Sequence, residues 1–177
     1  MMTEHKPTPR KQAKSALAAT AYHEAGHAVV GLRLRFRMKT ATIVPRDGVL
    51  GEVEHGKETY LYDDLEFGRD SARSRRRGEE VIILRLSGLT AERRFRPRAA
   101  SKHALDDHEH AADLALSLNG GDVEVTNAHI KDLSLRTDKL VADNWPQVEA
   151  VAQALLERRT LKGAEIAAIV REKDHAL

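Results

Sequence analysis

The chain has 177 residues with 41% hydrophobic and 4% aromatic content, which suits one domain with its own core. Lysine and arginine number 29 against 27 aspartates and glutamates, and this near balance argues against a protein specialised for polyanions. There is no cysteine, which excludes a disulfide scaffold, thiolate metal sites and thiol catalysis. Alanine and aliphatic residues must therefore build the core, which favours packed helices.

The first residues carry basic side chains and prolines, with no apolar stretch of the kind that a secretory signal needs. We therefore predict a flexible basic tail over residues 1–14 and a single domain over residues 15–177. No stretch reaches the roughly 18 to 20 apolar residues of a membrane span. We expect a cytoplasmic protein without a membrane span.

The predicted elements are mainly helical. Residues 15–34 are rich in alanine and have apolar residues at helical spacing. Two short strands follow, over 39–44 and 49–55, and the turn signature from Pro45 to Gly48 predicts that they pair. The fold class is therefore mainly α, with a small β-hairpin inserted after the first helix. Further helices are predicted over 79–95, 101–118, 126–143, 146–159 and 163–173.

One motif within the first predicted helix carries chemistry. Residues His23 to His27 read His-Glu-Ala-Gly-His, an HExxH sequence. Positions i and i+4 share one face of a helix, so both imidazoles can bind one metal ion with Glu24 beside it. Zinc favours neutral nitrogen ligands, and a catalytic zinc keeps one position open for water. The alternative, two histidines on a helix face and a solvated glutamate, fits less well with an apolar helix that has small residues beside the motif.

A third ligand is needed, and spacing alone leaves its identity open. The metzincin extension requires Gly at position 30 and His at position 33, where this chain has Val30 and Arg33. The predicted helix over 101–118 carries a dense group of residues that bind metals, and a carboxylate from it can complete a tetrahedral site. The candidates on this helix are His103, Asp106, Asp107, His108, Glu109 and His110.

Five sequence blocks follow one another in a fixed order over about residues 21–170. They are Ala21–Val30 around the HExxH motif, Thr42–Gly51, Ser87–Glu92, Ala104–Ala111 and Ala154–Leu161. Together they resemble the protease domain of the FtsH-type membrane-anchored, ATP-dependent zinc proteases. The resemblance implies a helical zinc-protease domain and a zinc metalloendopeptidase activity.

The resemblance also implies one Zn²⁺ ion per chain and its ligands. The family's zinc aspartate falls on Asp107, so the implied ligands are His23, His27 and Asp107. Asp106 is the next candidate for the third position. His103 lies four residues before Asp107, which leaves a rearranged ligand set as an alternative.

The implied mechanism is hydrolysis of peptide bonds in peptides or unfolded proteins. Glu24 would accept a proton from the zinc-bound water as it attacks a peptide carbonyl. The resemblance places an extended substrate along an edge strand, and the alternative for that segment is a hairpin strand without a substrate role. The matching residues are Val49, Leu50, Gly51, Glu52 and Val53.

The 177 residues contain no Gly-x-x-x-x-Gly-Lys-Ser/Thr loop to cradle phosphates. We therefore expect a standalone protease domain without its own ATPase, with a separate AAA unfoldase and a homo-oligomer among its partners. Two arginine clusters, 73–77 and 93–98, favour a solvated or oligomer-facing surface over nucleic-acid binding, since acidic residues flank the first cluster and aromatics are scarce. The rival hypothesis is a non-proteolytic binding or regulatory module that retains the protease fold.

Overall fold

A computed structural model describes residues 9–46, 50–55, 72–97 and 102–176. These residues form six helices and one three-stranded sheet, which confirms the predicted mainly α fold with a small sheet after the first helix. None of the described helices combines the length and the apolar character that a membrane crossing requires. In chain order the elements are α1 (Pro9–Arg33), β1 (Met38–Thr42), β2 (Glu52–His55), α2 (Ala72–Phe95), α3 (Lys102–Leu118), α4 (Val123–Asp143), α5 (Trp145–Arg158), β3 (Thr160–Lys162) and α6 (Gly163–His175).

Helix α1 is longer than predicted, because it begins at Pro9. Residues 9–14, which we predict as part of a flexible basic tail, are therefore helical. Proline suits the first turn of a helix, and the Arg-Lys-Gln-Ala-Lys sequence after it consists of strong helix formers. Basic composition alone did not separate a tail from a charged helix. Residues 1–8 lie outside the described part of the chain.

The middle of α1 is buried against α2, and small residues make this contact possible. A Cβ atom on Gly26 would lie 2.6 Å from the carbonyl oxygen of Ser87 and 2.7 Å from Cβ of Ala91. Glycine lowers helix propensity by about 1 kcal/mol, so its place here follows from the close approach of the two helices. The buried residues on both sides of this contact belong to the main hydrophobic core.

The sheet has the order β2-β1-β3, and both pairs are antiparallel. The predicted pairing of the first two strands is confirmed, with Ala41 opposite Val53. We did not predict β3, whose three residues are too few to show an alternating pattern. It follows Arg159, which has a φ of 67°, and its central residue Leu161 is fully buried opposite Ala41.

Helix α2 begins at Ala72, seven residues before the predicted start. The arginine cluster over 73–77 lies within this helix, and its charges are paired along it. Arg76 and Arg77 lie 3.3 Å and 2.8 Å from the carboxylate of Glu80, a spacing that supports a helix. The predicted stop of α3 at Asn119-Gly120-Gly121 is confirmed, since α3 ends at Leu118 and both glycines have positive φ. Helix α4 starts at Val123, three residues early, where the Asp122 side chain accepts from the backbone N–H of Val125.

Candidate metal centre

The two histidines of the HExxH motif lie one turn apart on α1 and face the same way. Both are buried, with 3% of His23 and 8% of His27 exposed. Their Nε2 atoms are 3.0 Å apart. Helical spacing alone therefore brings two potential metal ligands together inside the protein.

Helix α3 adds a carboxylate to this pair. Oδ2 of Asp107 lies 3.2 Å from Nε2 of His23 and 3.0 Å from Nε2 of His27. Within the part of the chain that the structure describes, these three side chains are the one group whose ligand atoms lie close enough to share an ion. Zinc binds nitrogen and oxygen at about 2.0–2.2 Å, so tetrahedral ligand atoms stand about 3.3 Å apart. The observed triangle fits a zinc ion with small adjustments.

A backbone carbonyl group of α2 fixes the orientation of the His27 ring. Its Nδ1 atom lies 2.8 Å from the carbonyl oxygen of Leu84, and a carbonyl can only accept. Nδ1–H is therefore the donor, and Nε2 is the ring nitrogen that faces Asp107. This arrangement is typical of metal-binding histidines, whose second nitrogen is fixed by an outer partner.

A buried glutamate on α2 occupies the corresponding position behind His23. Oε2 of Glu92 lies 3.4 Å from Nδ1 of His23, and Glu92 is only 1% exposed. Burial disfavours a charged imidazole, but the carboxylates of Asp107 and Glu92 outweigh it and raise the pKa of His23 to about 9. This raised pKa favours a protonated ring, so a metal ion that binds His23 must compete with a proton.

Gly88 provides the space that both imidazole rings use. A Cβ atom at this position would collide with Nε2 of His27 and would lie 2.7 Å from Cε1 and Nε2 of His23. The rings therefore pack directly on the α2 backbone, and no larger residue fits at position 88 without moving them.

Asp107 is held in its ionised form. Burial alone would raise the pKa of its carboxyl, but hydrogen bonds and charge from His23 and His27 lower it well below the usual range. Its second oxygen, Oδ1, lies 3.2 Å from Nη1 of Arg85 on α2. The carboxylate is therefore fixed through both oxygens.

Glu24 is buried next to the two histidines, with 4% of it exposed. Burial raises the pKa of its carboxyl, and the neighbouring histidines partly oppose this effect. Its Oε1 atom lies against Gly51, where an added Cβ atom would come within 2.7 Å. A buried carboxyl with a raised pKa beside two histidines is a candidate for proton exchange.

The predicted substrate strand lies beside Glu24. Gly51 is buried, Leu50 and Glu52 are exposed, and Val53 is half-buried. Strand β2 is one of the two outer strands of the three-stranded sheet that the described residues form. Val49 lies outside the described residues.

Four other ligand candidates on α3 are not part of the cluster. Asp106, His108, Glu109 and His110 are exposed, because neighbours of Asp107 on a helix point in other directions. His103 lies on the first turn of α3, and its side chain is outside the described set.

Sequence reasoning missed the contribution of α2. Leu84, Gly88 and Glu92 are spaced by four residues, so they form one stripe of that helix facing the histidines. A glutamate directly after the apolar run 81–89 was the available signal, since a buried acid needs a partner.

The fold and the site together define a class of protein, a helical domain in which an HExxH helix and a carboxylate from a second helix converge on one metal position. No family model matches the chain. It is 28% identical to the ATP-dependent zinc metalloprotease FtsH of Neorickettsia risticii, over 87% of this chain and 28% of that protein. It is 30% identical to FtsH 3 of Phytoplasma mali, over 85% and 27%, and 29% identical to FtsH 1 of Symbiobacterium thermophilum, over 92% and 31%.

These similarities identify the chain as an FtsH-type protease region and confirm the predicted resemblance. The chain spans less than a third of the length of these curated relatives.

Proposed function

We propose that this chain is a zinc-dependent peptidase that hydrolyses peptide bonds in peptides or unfolded proteins. The observation that carries the proposal is the convergence of His23, His27 and Asp107 within hydrogen-bonding distance of one another, next to the buried Glu24. The names of the relatives, which are zinc metalloproteases, support the same reaction class.

His23, His27 and Asp107 would hold the zinc ion. The two imidazoles offer Nε2 and the carboxylate offers Oδ2, a ligand set that leaves one tetrahedral position open. Bound zinc supplies a Lewis acid that polarises a carbonyl and makes water more acidic. Leu84 and Glu92 keep the two imidazoles oriented from behind.

Glu24 acts as the general base and then as the general acid. It accepts a proton from the water whose oxygen bonds to the peptide carbonyl carbon. It then delivers that proton to the amine nitrogen as the C–N bond breaks. Its raised pKa supports both roles, because a carboxyl of ordinary acidity returns a proton less readily.

The proposed substrate site is at the edge of the sheet, along the segment that leads into β2 and the first two residues of that strand: Val49, Leu50, Gly51, Glu52 and Val53. An extended peptide can add to such an edge through main-chain hydrogen bonds, which depend little on sequence. The contact between Gly51 and Glu24 would place that peptide at the reacting groups. Extended chains are the substrates that such a site accepts, and the relatives' ATP dependence suggests an ATP-driven unfoldase as partner and a homo-oligomeric assembly.

Glu24→Gln tests the catalytic role, and Glu109→Gln on the exposed face of α3 is the matched control. We expect wild type and Glu109→Gln to cleave fluorescently labelled casein. Glu24→Gln should retain zinc, measured by elemental analysis, and lose about 10²- to 10⁴-fold in rate. Zinc-loaded wild type that cleaves nothing, with or without an added unfoldase, would refute the peptidase proposal and favour a binding module.

A second pair of variants tests the third ligand. Asp107→Asn removes the charge at the cluster, whereas Asp106→Asn makes the same change on an exposed neighbour. We expect only Asp107→Asn to bind zinc markedly more weakly than wild type in equilibrium dialysis. Equal zinc retention by both variants would mean that Asp107 is not a ligand.

A further inference from the structure

The two carboxylate oxygens of Asp107 have different partners. Oδ2 faces the two histidines at 3.0 Å and 3.2 Å. Oδ1 accepts from Nη1 of Arg85 at 3.2 Å. We propose that Arg85 is a positioning residue that presents a single oxygen of Asp107 to the metal ion; this inference rests on the proposed zinc site.

The position of Arg85 in the chain supports this role. It follows Leu84, whose carbonyl oxygen fixes His27. One turn of α2 therefore orients two of the three proposed ligands, one through its backbone and one through a side chain. A displacement of this turn would move both ligands together.

Burial makes the interaction between Arg85 and Asp107 stronger than an ordinary surface ion pair. The side chain of Asp107 is 15% exposed and that of Arg85 is 36% exposed. The guanidinium therefore reaches a mostly buried carboxylate from the solvent edge of the site. A charged donor bound to a partly desolvated carboxylate holds its orientation better than the mobile water that would replace it.

The contact with Arg85 determines how many oxygens of Asp107 can bind a metal ion. While Oδ1 is bound to Arg85, only Oδ2 is free to approach an ion. One-oxygen binding by Asp107 keeps the protein's share of the coordination shell at three atoms, which preserves the open position of a catalytic zinc site. Without Arg85 the carboxylate can rotate, so it can bind through both oxygens or turn away.

The experiment compares Arg85→Gln with Arg85→Lys, using Arg93→Gln as the control on the exposed surface of the same helix. Zinc dissociation constants are measured by competition with a chromophoric chelator, and the site geometry is measured by the visible spectrum of the Co²⁺-substituted protein. We expect Arg85→Gln to weaken zinc binding about ten- to hundredfold and to change the Co²⁺ spectrum. Arg85→Lys, which keeps the charge but donates from a single point, should be intermediate, and Arg93→Gln should match wild type.

A double variant separates positioning from a general structural role. If Arg85 acts through Asp107, Arg85→Gln should have little further effect on metal affinity in an Asp107→Asn background. Wild-type affinity and an unchanged Co²⁺ spectrum in Arg85→Gln would overturn the inference while leaving the zinc site intact. Wild type that binds neither metal would instead overturn the proposed function. If Arg85→Gln does not fold, Arg85→Lys provides the same test.

Discussion

Replacing Gly88 with alanine should abolish metal binding while leaving the fold in place. The added Cβ atom would collide with Nε2 of His27 and lie 2.7 Å from Nε2 and Cε1 of His23. Relaxed contacts between heavy atoms are about 3.5–4.0 Å, so each ring must retreat by about 1 Å. Metal–ligand distances tolerate only about 0.2 Å, and both histidines would therefore cease to be ligands at once.

The same substitution has opposing effects on the stability of the metal-free protein. Alanine in a helix interior is favoured over glycine by about 1 kcal/mol. Displacing His27 breaks the bond from its Nδ1 to the carbonyl oxygen of Leu84, which is worth about 1 kcal/mol, and crowding adds about 1–3 kcal/mol. We expect a net loss of about 1–3 kcal/mol, which a domain of ordinary stability survives.

Urea unfolding of Gly88→Ala with EDTA and with zinc separates the two effects. Wild type should gain about 2.7 kcal/mol when free zinc is 100-fold above the dissociation constant, whereas Gly88→Ala should gain nothing. Gly26→Ala is the comparison, because its Cβ atom would meet the Ser87 carbonyl at 2.6 Å and should destabilise the fold even in EDTA. Wild-type zinc affinity in Gly88→Ala would refute the packing of the histidines on α2.

Three further predictions follow from individual contacts. Glu92→Gln should weaken zinc binding about ten- to hundredfold with an unchanged circular dichroism spectrum, and unchanged affinity would mean that Glu92 does not orient His23. Burial, with the charges of His27 and Arg85, lowers the pKa of His55 from 6.5 to about 4. The neutral ring therefore stabilises the fold above the unfolded-state value, and this contribution is lost as pH falls from 6.5 towards 4. In EDTA, wild type should lose up to about 3 kcal/mol more unfolding free energy than His55→Asn over that window, and parallel pH curves would contradict this. Leu161→Ala should cost about 2–5 kcal/mol in urea unfolding, since the side chain is fully buried; a cost below about 1 kcal/mol would be inconsistent with the core position of β3.

The pair His23 and His27 was predictable because helix geometry acts over four residues. Once the segment is recognised as helical, the i,i+4 spacing places both rings on one face whatever the rest of the fold does. Asp107 is different, because it lies 80 residues after His27 and only tertiary packing brings it there. Residue chemistry left six candidates on one helix, and the resemblance to a known family selected Asp107 among them.

The sequence-based prediction also fails where a basic segment is compatible with either an irregular segment or a helix. The segments at the start of α1 and of α2 are both rich in basic residues, and we predict a tail over 1–14 and no helix before residue 79. Both are helical. In α2 the reason is visible, since Arg76 and Arg77 pair with Glu80 within one turn. A basic segment that carries acids three or four residues away is a helix candidate.

The groups that orient His23 and His27 lie on α2, so their placement depends on how α1 and α2 pack against each other. His27 contacts Leu84 and His23 contacts Glu92, so α1 and α2 run antiparallel along this face. The two contacts involve residues four apart on α1 and eight apart on α2, and Gly88 lies midway between the two positions on α2. Three features of α2 therefore act together on the two histidines. They are the carbonyl oxygen of Leu84, the absence of a side chain at Gly88 and the buried carboxylate of Glu92. An HExxH helix whose antiparallel neighbour lacks the small residue or the acid at these positions would still match the motif. Its imidazole rings would not be oriented for binding a metal ion.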